Sequence, residues 1–265
     1  MTAGERMAEL FLRYATPFAG LRRWPLVGPA VSWFSEKLVP RDAMTWVQVR
    51  RGPAAGIWLH LNPRTGRIML EGNGEPQVQA ALVEHLRLGM TFCDVGANIG
   101  FFSMLAARLV GPAGWVVSFE ADPEIAQRLR TNAAKNSFAW IRVEQQAVCA
   151  EPNEVFFQRA DAATSPDRGE GHIVADHSAD AISVTGTSLD AYAWTKSAPD
   201  FVKCDVEGAE VEVFRGAKHL LYDKRPKILC EMHSDVNKRT LQASFAGLEY
   251  ECLMLDLNHL LALPR

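Results

Sequence analysis

The chain has 265 residues, enough for one large α/β domain or for a domain with an added segment, and it is 48% hydrophobic and 22% charged with a net charge of −3. That balance lacks the basic excess of a nucleic-acid binder, and the apolar runs are too short and too often broken by charge or Pro to span a membrane. No basic-then-apolar leader opens the sequence and the five cysteines include no C-x-x-C pair, so the expectation is a cytoplasmic protein whose thiols stay reduced.

Residues 5–38 carry helical patterns interrupted by Pro17, Pro25 and Pro29, and TWVQVRRGPAAGIWLHLNP (45–63) reads as a strand pair. Four of the seven tryptophans, Trp24, Trp33, Trp46 and Trp58, fall in this part. Residues 1–75 are therefore expected to form a cap segment, helical and then a strand pair. Within it, residues 1–40 set aromatic side chains among Arg22, Arg23 and Lys37, a candidate for a substrate wall or a peripheral membrane contact.

From residue 91 short apolar strands alternate with helices. TFCDV (91–95), WVVSFEA (115–121), WIRVEQQAV (140–148), FVKCDV (201–206) and KILCEMH (227–233) read as strands, with helices over 100–110, 123–136 and after the last two. Such βαβ repetition predicts a parallel sheet covered on both faces, a Rossmann-like α/β fold. Residues 150–190 read as an insertion, with strands EVFFQRAD and AISVTGTSLDAY flanking a polar loop at 164–180 that is expected to be mobile. The end, around Asp256–Asn258, reads as an antiparallel hairpin completing the sheet. Cys93, Cys204 and Cys230 lie in the strand runs as packing residues.

The first strand runs into TFCDVGANIGFFSMLAARL (91–109), a glycine turn opening a helix, which makes a place for an anionic group. A dinucleotide site wants a second glycine where Asn98 stands, and the carboxylate of Asp94 would repel a diphosphate. A ligand with an ammonium, a sulfonium and one carboxylate suits the turn better, and S-adenosyl-L-methionine (SAM) is that ligand. Glu120 ends the second strand 20 residues beyond Gly100, where such folds set an acid against ribose hydroxyls.

DVGANIGFFS, VSFEADPE, DFVKCDVEGAEVEVFRGA and KILCEMH, in this order and with EGNGEPQVQAAL upstream, together resemble the FkbM family of class I SAM-dependent methyltransferases over roughly residues 45–255. Ala121 stands where family members often have Pro, and Leu88-Gly89-Met90 replaces a Pro-Gly-Asp. The resemblance implies that residues 76–265 form the SAM-binding domain. It implies that Asp94, Gly96, Asn98 and Gly100 hold the methionine part of SAM, with Ala97 and Asp205 in the same cofactor set. Glu120 would bind the ribose, and Gln146 and Ala147 would lie beside the adenine. It further implies methyl transfer to a hydroxyl of a sugar, glycolipid or secondary metabolite, so that the partner is a small-molecule or glycan acceptor and no nucleic acid.

Ligands of open α/β sheets sit beyond the carboxyl ends of the strands. Alternation places Lys203 and Asp205 on one strand face and Glu231 and His233 on one face of the neighbouring strand, so these four are the candidate catalytic residues. His233 is the candidate general base, accepting a hydroxyl proton near neutral pH with Glu231 or Asp205 orienting its ring. Glu210 and Glu212 fall in a first helical turn and suit its dipole. Asp205, Glu231 and His233 also have the composition of a divalent-cation site, but the substrate reading is preferred and no metal is assigned. The other histidines, His60, His85, His172, His177, His219 and His259, read as surface or packing residues. A SAM- or nucleotide-binding regulatory or scaffold protein is the alternative to an O-methyltransferase. A nicotinamide oxidoreductase is disfavoured by Asp94 and Asn98.

Overall fold

The computed structural model describes residues 44–63, 65–160, 171–174, 181–194 and 197–265. The readings made for residues 1–40, with Trp24 and Trp33, and for most of the 164–180 loop, with His177, lie outside the described residues. The chain divides between Gly74 and Glu75 into two units.

In the first unit β1 (Thr45–Gln48) pairs antiparallel with β2 (Trp58–Leu61), Trp46 facing His60 with ring centroids 5.1 Å apart. The short helix α1 (Arg67–Leu70) follows, and Arg50 bonds Glu71 at 2.8 Å just beyond it.

The second unit opens with a helix that the sequence reading passed over, α2 (Pro76–His85). Pro76 supplies a preset first turn, and Glu75 before it adopts a left-handed φ of 42°. Then follow β3 (Thr91–Val95), α3 (Phe101–Val110), β4 (Trp115–Phe119), α4 (Pro123–Lys135) and β5 (Ile141–Glu144). Next come β6 (Ala147–Val148), β7 (Glu154–Gln158), β8 (His172–Val174) and β9 (Ala181–Thr187), and then β10 (Phe201–Cys204), α5 (Glu210–Arg215), β11 (Lys227–Glu231), α6 (Asp235–Gly247), β12 (Tyr250–Met254) and β13 (His259–Pro264).

Seven strands form the main sheet in the order β12-β13-β11-β10-β3-β4-β5. The five from β5 to β11 run parallel, and β13 reverses direction against both β11 and β12. This is the Rossmann-like parallel sheet that the strand–helix alternation predicts, finished by an antiparallel pair. All residues of β3 and β10 are buried, as central strands covered on both faces must be. Chain order reverses beside β3: β4 and β5 grow to one side, and the chain then returns to lay β10 on the other. That switch point opens a crevice at the carboxyl ends of β3 and β10.

Two expectations need correction. The run 140–148 is not one strand, because Gln145 and Gln146 leave the extended pattern. β5 pairs with β4 in the main sheet, whereas β6 pairs with β9 in a second sheet of order β6-β9-β7-β8. The 164–180 stretch is not all loop, since β8 pairs antiparallel with β7 inside it. Three residues, His172, Ile173 and Val174, give too short a pattern to read from sequence. All five cysteines are free, and Cys93, Cys149, Cys204 and Cys230 are buried. Among the described residues no helix is long and apolar enough to cross a membrane.

Candidate active site

A cavity opens at the carboxyl ends of β3, β4 and β10, with Gly96, Asn98, Glu120, Gln146, Ala147 and Asp205 in its wall. The turn after β3 shapes one side. Gly96 has φ +74°, and a Cβ there would stand 1.7 Å from the Asp205 carbonyl oxygen, so only glycine lets the two strand ends approach. Asn98 replaces a glycine yet holds φ +49°, which asparagine tolerates because its side chain bonds locally: Oδ1 accepts from the Ile99 amide at 2.6 Å. Gly100, at φ +89°, opens α3 and lies against Leu129 and Met104. Its part is the entry of the helix, and Ala97, Asp94 and Gly100 are not in the cavity wall.

Glu120 is buried at the end of β4, and its two oxygens accept from the amides of Asn98 and Asp122, each at 2.8 Å. Burial pushes its pKa up to about 7, against the pull of those two amides. A carboxylate so poorly solvated, with lone pairs left facing a cavity, is suited to hydroxyl donors. Asp122 in turn caps α4 and is clamped by Arg159 at 2.8 Å. Arg159 follows β7, so the insertion is anchored to the loop that carries Glu120. Phe157, His172 and Ile173 of the insertion then wall the same cavity. The sequence reading took His172 for a surface or packing residue and gave Phe157 and Ile173 no role, because β-strand pattern alone could not show which sheet face would meet the crevice.

Asp94 is fully buried beneath the turn. Ser103 Oγ donates to its Oδ2 at 2.5 Å, and Ser118 Oγ donates to Ser103 at 2.8 Å. Burial raises the Asp94 pKa, opposed by Lys203 and Ser103. Lys203 Nζ stands 3.6 Å from Asp94 and 3.2 Å from Asp205, with the Phe102 ring 5.3 Å away. Burial works against the charge of Lys203, but Asp205 and Asp94 outweigh it and hold the pKa above the ordinary lysine value. Lys203 is thus a fixed cation that ties the floor of the turn to Asp205, and it is not in the cavity wall.

Beside Asp205 the predicted cluster comes together. His233 Nε2 lies 3.3 Å from Glu207, 3.8 Å from Asp205 and 3.9 Å from Glu231, and both Asp205 and Glu207 line the cavity. The ring is not oriented by Asp205 or Glu231 as expected. Its Nδ1 bonds Glu210 Oε1 at 2.6 Å, and Glu210, in the first turn of α5 as expected, is completely buried. The bond to Glu210, with Glu207 and Asp205 nearby, outweighs burial and lifts the His233 pKa to about 9. The titration expected near neutral pH therefore moves into the alkaline range.

His259 was read as a surface or packing residue, and the structure gives it a setting as polar as that of His233. Its Nδ1 bonds Asp256 at 2.8 Å, and Nε2 lies 3.3 Å from Glu75 and 3.5 Å from Glu231. Burial lowers its pKa, but these carboxylates outweigh that and raise it to about 10. Glu231 thus stands between two histidines, which the strand alternation around Glu231 could not reveal because His259 comes from the antiparallel β13. Asp205, Glu231 and His233, whose residue types alone suggested a cation site, offer ligand atoms within 4.8 Å of one another. A second, larger cavity of about 610 Å³, bounded by Phe214, Tyr222, Phe245 and Leu248, carries no carboxylate in its wall and lies away from this chemistry.

Residues 94–251 match the methyltransferase FkbM domain. An arsenite methyltransferase of Halobacterium salinarum is 40% identical over 65 residues, 24% of this chain, and the match spans about a sixth (16%) of that relative's length. Among solved structures, the methyltransferase FkbM of Methylobacillus flagellatus aligns with a TM-score of 0.49 at 16% identity, over 74% of this chain and 52% of that one. A SAM-dependent O-methyltransferase of Thermotoga maritima aligns at 0.46 and 12% identity, over 85% of this chain and 78% of the other. The residues present fit SAM, the cofactor of class I methyltransferases: Gly96, where a Cβ would meet the Asp205 carbonyl, keeps the turn close to the end of β10, and a buried carboxylate, Glu120, stands in the same cavity wall. The match over residues 94–251 covers more than half of the sequence, and the chain belongs to the FkbM family of SAM-dependent methyltransferases.

Proposed function

We propose that this chain transfers a methyl group from SAM to a hydroxyl of a sugar, glycolipid or other secondary metabolite, with His233 as the general base. The observation that carries the reading is the position of His233 Nε2, 3.3 Å from Glu207 and 3.8 Å from Asp205, both of which share a cavity wall with Glu120. When bound, SAM supplies a methyl group activated by the sulfonium it leaves. Gly96 and Asn98 shape the turn that receives the methionine part, Glu120 accepts from the ribose hydroxyls, and Gln146 and Ala147 border the adenine. The buried pair of Asp94 and Lys203 fixes the floor under them.

His233 takes the hydroxyl proton at Nε2, which turns a weak nucleophile into an adequate one. Asp205, Glu207 and Glu231 accept hydrogen bonds from the acceptor and hold it against that nitrogen, so alignment supplies much of the rate. Three carboxylates beside the reacting position favour a neutral or cationic acceptor over an anionic one. The test is incubation with methyl-13C SAM and a panel of sugars, glycolipids and polyols, with the labelled product analysed by NMR. An O-methyl product supports the reading. Methyl transfer only to nitrogen, sulfur or arsenite, or SAM binding without any transfer, overturns it.

A further inference from the structure

The DVEGAE segment contributes a residue that neither the strand alternation nor the cofactor geometry assigns. Glu210 has no exposed surface, yet it is fully engaged: Oε1 accepts from the Gly208 amide at 2.8 Å and pairs with His233 Nδ1 at 2.6 Å, while Oε2 accepts from Asn237 Nδ2 at 2.5 Å. Burial works against its charge, but these partners hold its pKa below the ordinary glutamate value. Asn237 also donates to the Gly208 carbonyl at 2.8 Å. The carboxylate is thus fixed from two elements, the turn before α5 and the first turn of α6. That turn is itself special, since Glu207 and Gly208 both take positive φ, 51° and 107°, bringing the Gly208 amide round to Glu210.

We infer that Glu210 is the positioning residue for methyl transfer, locking His233 through Nδ1 so that the proton of the neutral imidazole sits there and the Nε2 lone pair faces Asp205, Glu207 and Glu231. The inference rests on the reading of His233 as the base. A histidine in water carries its neutral-state proton mainly on Nε2, the wrong nitrogen for a base whose Nε2 faces the substrate. A buried carboxylate on Nδ1 reverses that preference and balances the charge formed when the hydroxyl proton arrives at Nε2. The other charged groups around the ring, Asp205 after β10, Glu207 in the turn and Glu231 at the end of β11, all lie on the Nε2 side at 3.3–3.9 Å. They do not select the tautomer required. Glu210 does.

The test is 15N NMR of the imidazoles in the full chain with SAM present, over about pH 6 to 10, with His233 assigned from the spectrum of His233→Gln. In the wild type the neutral form of His233 carries its proton on Nδ1 and titrates at about 9. In Glu210→Gln the midpoint falls by at least about one pH unit, toward the ordinary histidine value, and in Glu210→Ala the neutral-state proton moves to Nε2. SAM affinity stays within about threefold, a change of less than about 0.7 kcal/mol. A wild-type neutral form protonated on Nε2 overturns the inference whether or not the variants fold, as does an unchanged midpoint and tautomer in both folded variants. No acceptor is needed, so a failure to methylate hydroxyls sinks the functional reading and leaves this measurement standing.

Discussion

Gly96 lies directly against the carbonyl of Asp205: a Cβ on Gly96 would come within 1.7 Å of that oxygen. The contact joins the glycine turn after β3 to the segment that carries Asp205 and Glu207, so two sides of the cavity are set by one backbone approach. Gly96→Ala meets both this clash and left-handed strain of about 1–2 kcal/mol. We expect SAM affinity to fall by more than about tenfold, on the order of 1.4 kcal/mol, with a lower melting temperature. Calorimetry on the purified variant checks this, and wild-type affinity would mean that the turn is not shaped by this contact.

Glu120 gives a prediction with a pH sign. Its pKa is raised to about 7, and only the ionised form offers all its lone pairs to ribose hydroxyls. SAM affinity should therefore be constant above the folded pKa and weaken as pH falls through about 7, by at most about tenfold per unit for one proton. Glu120→Ala should weaken binding by about 10–100-fold, the scale of hydrogen bonds to a charged group, and remove the pH dependence. A folded variant with an unchanged dissociation constant removes Glu120 from the cofactor site.

Lys203 tests the buried floor. Lys203→Met removes the ammonium 3.6 Å from a fully buried Asp94, and breaking such a pair costs about 3–5 kcal/mol. Adding Asp94→Asn to Lys203→Met should recover part of that loss, because the unpaired charge is then gone. Denaturant unfolding of the two single variants and the double variant measures the coupling. Strict additivity would show that the two side chains do not act as a pair.

Much of this was legible in the sequence, for definable reasons. The strands β3, β4, β10 and β11 are short apolar runs with helices between them, and the glycine turn and Glu120 mark their ends, so the sheet and the place of the turn follow from local pattern. The convergence of Lys203, Asp205, Glu231 and His233 followed from alternation on adjacent strands. What escaped depends on contacts distant in sequence. Glu210 reaches His233 across 23 residues, and His259 meets Glu75 across 184. The split of 140–148 between two sheets was hidden because both halves are extended and only Gln145 and Gln146 separate them.

The charge of the site predicts its selectivity. Asp205, Glu207 and Glu231 surround the His233 nitrogen at 3.3–3.9 Å, so phosphorylated or carboxylated acceptors should be methylated at least about tenfold more slowly than neutral polyols of the same shape, given the repulsion between like charges at close range. Competition between a neutral acceptor and its phosphate ester, followed by mass spectrometry, measures the ratio. Preference for the anion would place the acceptor elsewhere.

The most direct test of the account is the pH–rate profile of methyl transfer at saturating SAM and hydroxyl acceptor, for the wild type and His233→Gln. With the base titrating at about 9, the wild-type rate should rise about tenfold per pH unit through neutrality and level off above that value. Glutamine keeps a hydrogen-bonding side chain and takes no proton, so the variant's rate at the plateau should be lower by about 10²–10⁴-fold, with the inflection gone and SAM affinity unchanged. A variant that keeps turnover within a few-fold, with the wild-type inflection intact, would contradict the assignment of His233 as the base.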